Sequence, residues 1–236
     1  MILVLCETFD PAAFWAADSL RTRGADVSVV TTSDLEGAVR WEHRVTRSGA
    51  ASIDIELMDG RRVGSREPMG VLNRLAFVPT ARLNAIAGPD CEYAVQEMNA
   101  FFLSWLNALP GRVLNRPKPQ GLGGNWRHPS GWAVLAGRAG LSPAPYHQSC
   151  ESDPDAAWLQ SRPPETTVFV IGRQAVVARR LPAGVEEGCL RLAEAAREDL
   201  LGIDFIDGTF VGASPRPDLQ LGGDRLVDVL ADALAP

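Results

Sequence analysis

The N-terminal segment leaves the chain little choice of architecture. Ile2–Leu5 is a short unbroken apolar run of the kind buried in a parallel sheet. It is followed by Asp10, which can cap a helix, and by Pro11, which suits its first turn. Phe14, Trp15, Ala17 and Leu20 continue the helix, Gly24 stops it, and Val27–Val30 is a second apolar run. A strand, a helix and a strand in that order form a right-handed β-α-β unit, so the chain begins as a parallel α/β domain.

Further along, Ile53, Ile55 and Leu57 alternate with polar residues before Asp59-Gly60, which predicts a hairpin. Gly70–Val78 reads as another strand. Tyr93, Met98, Phe101, Phe102, Trp105, Leu106 and Leu109 recur at helical spacing, which predicts a helix over Glu92–Leu109. A stripe of this kind is core rather than a cofactor site. The segment "GRVLNRPKPQGLGG" is a strand that runs into a Pro/Gly-rich loop, and "HPSGWAVLAGRAGL" is a short helix ended by Gly140. Pro143–Pro164 holds five prolines and little periodicity, so it reads as a linker or surface excursion. Beyond it come a hairpin turning at Gly172, an amphipathic helix over Cys189–Leu200, a hairpin around Asp207-Gly208 and a helix over Asp224–Leu234.

With 46% hydrophobic residues, the 236-residue chain can bury a sizeable core. Its net charge of −6 argues against nucleic acid or an anionic membrane as the main partner. Cys6, Cys91, Cys150 and Cys189 form no C-x-x-C pair and fit no zinc spacing. The start "MILVLCETFD" has neither a basic flank nor a cleavage site, and no window reaches the length of a membrane span. These features predict a cytoplasmic, reduced protein.

The chemistry-bearing signals are few. "QGLGGN", Gln120–Asn125, is Gly-rich ahead of a helix and could cradle phosphate, but it has neither P-loop nor dinucleotide spacing. "LNR" occurs twice, ending in Asn73-Arg74 and in Asn115-Arg116. An Asn-Arg pair at a strand end can present an amide and a guanidinium to a carboxylate or a peptide backbone, or can serve as a structural cap. His43, His128 and His147 are scattered and belong to no evident catalytic set.

Four stretches give the chain a likeness to a known family. "VLNR" (Val71–Arg74), the Tyr93/Glu97 helix with "RVLNRP", the helix "HPSGWAVLAGRAGLSPAP", and "VFVIGRQAVVARRL" with "GIDFIDG" resemble, in order, motifs of the ATP-grasp ligases. The similarity is to the branch that modifies ribosomal peptides. It implies a pre-ATP-grasp-type α/β domain over residues 1–142 and a reduced C-terminal ATP-grasp core over 166–236. A Pro-rich linker, 143–165, would replace the central lid domain.

The departures from that family cluster in one machine. The lone lysine is Lys118, and the position of the family's helix-leading lysine carries Arg127 or His128. Arginine does not simply replace a phosphate-binding lysine. The magnesium-holding Glu-x-Asn reads Gly212-Ala213-Ser214. Only 22 residues separate Pro143 from Thr166, against about 30 for even one β-α-β unit.

The chain is in these respects similar to the truncated ATP-grasp-like proteins of crocagin-type (pyrroloindoline) peptide pathways, which bind a precursor peptide without using ATP. The resemblance implies no cofactor, no metal and no catalytic residue. It implies a precursor-peptide partner and a homodimer, with a peptide-modifying enzyme as a further partner. Candidate peptide contacts are Asn73, Arg74, Asn115, Arg116, Arg127, Arg179 and Arg180, with Trp126, Trp132 and Trp158 as apolar pockets. An active ligase completed by a partner subunit, and a scaffold that docks another enzyme, are the alternatives.

Overall fold

The computed structural model describes residues 1–49, 51–64, 70–86, 88–147, 162–177 and 181–235. The chain forms two compact units, one of residues 1–124 with 231–236 and one of 125–230.

The first unit is built on a parallel sheet in the order β2-β1-β6-β7, from β1 (Ile2–Cys6), β2 (Val27–Thr31), β6 (Gly70–Asn73) and β7 (Val113–Leu114). The predicted β-α-β unit is present. Its helix α1 (Pro11–Thr22) is capped by Asp10, whose Oδ1 accepts from Ala13 N at 3.1 Å. Between β2 and β6 lie a short helix, α2 (Thr32–Glu36), and an antiparallel meander of β3 (Arg40–Val45), β4 (Ala51–Glu56) and β5 (Arg62–Gly64). Strand β3 was not legible because its outward positions are Arg40, Glu42 and Arg44 and its inward ones Trp41 and His43. That alternation is one of charge and aromatic ring rather than of aliphatic residues. The meander packs on helix α4 (Cys91–Ala108), which a short helix, α3 (Ala81–Ile86), precedes. There Trp41, Phe101, Phe102 and Trp105 meet edge-to-face or tilted, with centroids 5.0–6.3 Å apart.

Strand β6 stops at Asn73, well short of the expected Val78. Arg74 N still donates to Leu5 O at 2.8 Å, but the next two backbone donors are taken by side chains. Leu75 N donates to Asn73 Oδ1 and Ala76 N to Glu7 Oε1, at 3.3 and 2.7 Å, so the chain leaves the ladder.

The second unit carries an antiparallel sheet in the order β11-β10-β8-β9, from β8 (Thr166–Ile171), β9 (Gln174–Val177), β10 (Leu200–Ile206) and β11 (Thr209–Ser214). Helices α5 (Pro129–Arg138) and α6 (Val185–Ala196) pack on it around Trp132, Val168, Leu192, Ile203 and Phe205. Asp207 and Gly208 both have positive φ, 50° and 74°, as a two-residue hairpin of this hand requires. Helix α6 sits four residues earlier than the expected Cys189–Leu200. Arg197 is left-handed, and Leu200 already pairs with Ile171 as the first residue of β10. The chain ends in α7 (Gly223–Leu234). Among the described residues, no helix is long and apolar enough to cross a membrane.

Candidate functional site

The two LNR stretches end neighbouring strands, so the first unit brings Asn73, Arg74, Asn115 and Arg116 to one end of its parallel sheet. Asn73 is fully buried, and its amide nitrogen donates to Asn115 O at 2.9 Å and to Leu122 O at 2.7 Å. It thus ties the end of β6 to the end of β7 and to the Gly-rich loop. The loop comes in close: a side chain at Gly123 would stand 2.9 Å from Leu75 O. That close approach accounts for a glycine in "QGLGGN" with no phosphate. Asn115 is buried at a positive φ of 56°, a conformation that Asn tolerates better than most residues.

The guanidinium of Arg74 is buried and forks onto the Asp10 carboxylate, with Nε–Oδ2 at 2.7 Å and Nη2–Oδ1 at 3.1 Å. Arg116 turns back on α4 and donates to the carbonyls of Leu106, Asn107, Leu109 and Gly111 at 3.1–3.4 Å. A cation on the last carbonyls of a helix is a favourable cap. The structure therefore places both LNR arginines in internal roles.

In the second unit Arg127 lies over the Trp132 ring at 5.5 Å and donates to Ala196 O, at the end of α6, at 3.3 Å. His128 caps α5, where its Nδ1 accepts from Ser130 N. Trp126 is exposed and Trp132 buried. Arg179, Arg180, Trp158 and Cys150 lie outside the described residues. Cys6 and Cys189 are buried, and burial pushes both thiols up to about 12.

The second unit also contains a cleft of about 340 Å³, lined in part by Ala133, Pro145, Tyr146, Arg162, Asp204, Phe210 and Gly212. Asp204 and Gly212 are cross-strand partners on β10 and β11. Asp204 Oδ1 accepts from Thr167 Oγ1 at 2.6 Å, and burial holds its carboxyl above the ordinary carboxylate range, opposed by that hydrogen bond. Opposite it, Gly212 offers no side-chain oxygen, and its missing Cβ would point into open space. The Ser214 hydroxyl accepts from Arg216 N at 3.1 Å. Sequence reasoning looked here for what Gly212 and Ser214 lack and passed over Asp204. The signal was an acid inside the apolar run "LLGIDFI", where an unpaired charge is costly.

No family model matches this sequence, and no curated protein matches it. Solved structures do. The macrocyclase MdnB from Microcystis aeruginosa MRC superposes with a TM-score of 0.65 at 18% identity, over 98% of this chain and 98% of that one. The macrocyclase MdnC of the same organism, bound with precursor peptide MdnA, gives 0.68 at 13% identity over 98% and 99%. A Chryseobacterium gregarium RiPP-associated ATP-grasp ligase, in complex with ADP and a leader and core peptide, gives 0.66 at 13% over 100% and 97%.

The fold is ATP-grasp-like.

Its described parts are an N-terminal unit on a parallel sheet and a second unit on an antiparallel sheet. ATP-grasp chemistry uses magnesium-bound ATP, so the donors at the cleft bear on what the fold can hold. Magnesium favours a near-octahedral set of oxygen ligands. Here one carboxylate, Asp204, faces a residue with no side chain, and among the described residues no three His, Cys, Asp or Glu side chains gather as a metal site. The described lining thus offers a magnesium ion one carboxylate, with glycine at the rung across from it.

Proposed function

We propose that this chain is a non-catalytic peptide-binding protein of a ribosomal-peptide modification pathway, an ATP-grasp-like scaffold of the truncated, crocagin type. It binds a precursor peptide in the cytoplasm and assists its modification by another enzyme, with no cofactor of its own. The observation that carries this reading is the Asp204–Gly212 rung. The scaffold keeps a cleft and one acid, Asp204, with glycine instead of a second acid at the rung opposite it. The likeness to ligases solved with precursor, leader and core peptides supports the choice of ligand.

In this reading residues 143–165 take the place of the lid between sequence segments 1–142 and 166–236, although the compact units divide after residue 124. Strands β9 and β11 end the second unit's sheet, and an extended peptide can add to such an edge through main-chain hydrogen bonds. The same edges serve homodimerisation. Arg127, Arg179 and Arg180 are the arginines offered to peptide carboxylates. Asn73, Arg74, Asn115 and Arg116 support the loops from behind.

The test is calorimetric titration with the precursor peptide encoded beside the gene, with thermal melts in Mg-ATP run in parallel. Peptide binding without a nucleotide-dependent rise in Tm is the expected result. A clear rise with Mg-ATP, as linkage requires for a bound ligand, overturns it in favour of a ligase completed by a partner.

A further inference from the structure

The Asp204 cleft has a chemistry of its own. Its floor is a largely buried carboxylate with one neutral donor, Thr167 Oγ1, at 2.6 Å. Burial raises its affinity for a proton, and that hydrogen bond opposes the rise. Among the described lining residues the one cation is Arg162, which pairs with Glu165 at 3.1 Å. The walls include Ala133, Pro145, Tyr146 and Phe210, and the cleft's surface is divided almost evenly between polar and apolar. Directly across the ladder Gly212 leaves space above the acid, since a Cβ there would meet nothing within 4 Å.

A desolvated carboxylate of this kind gains most from an incoming cation that can donate a charge-assisted hydrogen bond. Thr167 already occupies Oδ1, so a forked guanidinium has only one oxygen fully available, whereas a compact ammonium needs only one. Apolar side chains in the walls suit an aliphatic stem that carries such a head. At about 340 Å³ the cleft stands at the small end of ligand sites, which run from about 300 to 1,000 Å³. That matches one side chain with its stretch of backbone.

We propose that this cleft is a receptor for a single lysine-type side chain, an ammonium on an aliphatic stem, which it holds by Asp204 without reacting with it. The source of that side chain rests on the peptide-binding reading above.

The probe is N-acetyl-lysine N-methylamide, titrated into ¹⁵N-labelled protein, with the norleucine analogue as its neutral isostere. The lysine probe should shift the amide signals of Thr167, Asp204 and Gly212. Norleucine should bind about tenfold or more weakly, the worth of a charge-assisted hydrogen bond. Asp204→Asn should erase the difference between the probes. Gly212→Val, which fills the open space without touching the acid, should block both. Equal binding of the two probes, shifts confined to other residues, or undiminished lysine binding by Asp204→Asn overturns the proposal. The two readings fail separately. If the precursor peptide binds wild type and Asp204→Asn alike, the cleft assignment falls and peptide binding stands. If the lysine probe binds but no precursor peptide does, the reverse holds.

Discussion

Arg74 and Asp10 form a forked, nearly dry ion pair, with side chains only 5% and 10% exposed. The pair joins the end of β6 to the cap of α1, so one carboxylate serves a helix and a strand together. Arg74→Ala would leave the Asp10 charge buried without its partner, which costs about 3–5 kcal/mol. Urea unfolding should show that loss. Arg74→Lys should recover only part of it, because an ammonium cannot make the fork. A loss below about 1 kcal/mol would show that the pair is a surface-type contact.

Asn73 is the second strut at that end of the sheet. Asn73→Ala removes the donor to Asn115 O and Leu122 O, at a cost of about 1–3 kcal/mol. Asn73→Asp should be worse, since it sets carboxylate oxygen against two carbonyls in a buried place. Guanidinium midpoints for the two variants check the order, and a more stable Asp variant would contradict the hydrogen-bond assignment.

Gly212 offers a gain-of-function check on the fit to magnesium. Gly212→Glu meets no steric obstacle. It places a second carboxylate directly across from Asp204, and like charges on opposite rungs repel. The variant should melt below wild type in EDTA and regain the loss on addition of Mg²⁺, whereas wild type should show no specific Mg²⁺ response. An unchanged Tm in both conditions would place the two side chains apart.

The pH response of Asp204 has a defined sign. Burial raises its folded-state value above the ordinary carboxylate range, so the native state holds the proton more tightly than the unfolded chain. Its contribution to stability is fully present below the ordinary value and is lost as pH rises through the folded-state value. Asp204→Asn keeps an oxygen that can accept from Thr167 and carries no charge. It should therefore melt higher than wild type at neutral pH, with the gap closing as pH falls through that window. Differential scanning calorimetry across the acidic range measures this, and a gap that widens towards acid would reverse the assigned shift.

Local pattern made much of the fold legible. The β-α-β start, the aromatic stripe of α4 and the hairpin turns at Gly172 and Asp207-Gly208 each follow from periodicity or turn chemistry within a short window. Strand β3 was hidden because its partners on α4 are distant in sequence. The early end of β6 was hidden because Glu7, far back in the chain, takes the amide of Ala76. The two LNR motifs were correctly placed at strand ends, where Arg74 pairs with Asp10 and Arg116 donates to the last carbonyls of α4.

Sequence alone determined the order of most elements, the 22-residue passage from Pro143 to Thr166 and the side chains missing at Gly212 and Ser214. It did so because propensity, spacing and side-chain chemistry are properties of neighbours along the chain. Only the tertiary structure decided that Arg74 spends its charge on Asp10, that Arg116 caps α4, and that Asp204 faces Gly212 across a cleft. An ion pair, a cap and a desolvated carboxylate are each defined by what folding brings near them, across 64 residues for Arg74 and Asp10. No local reading contains that distance.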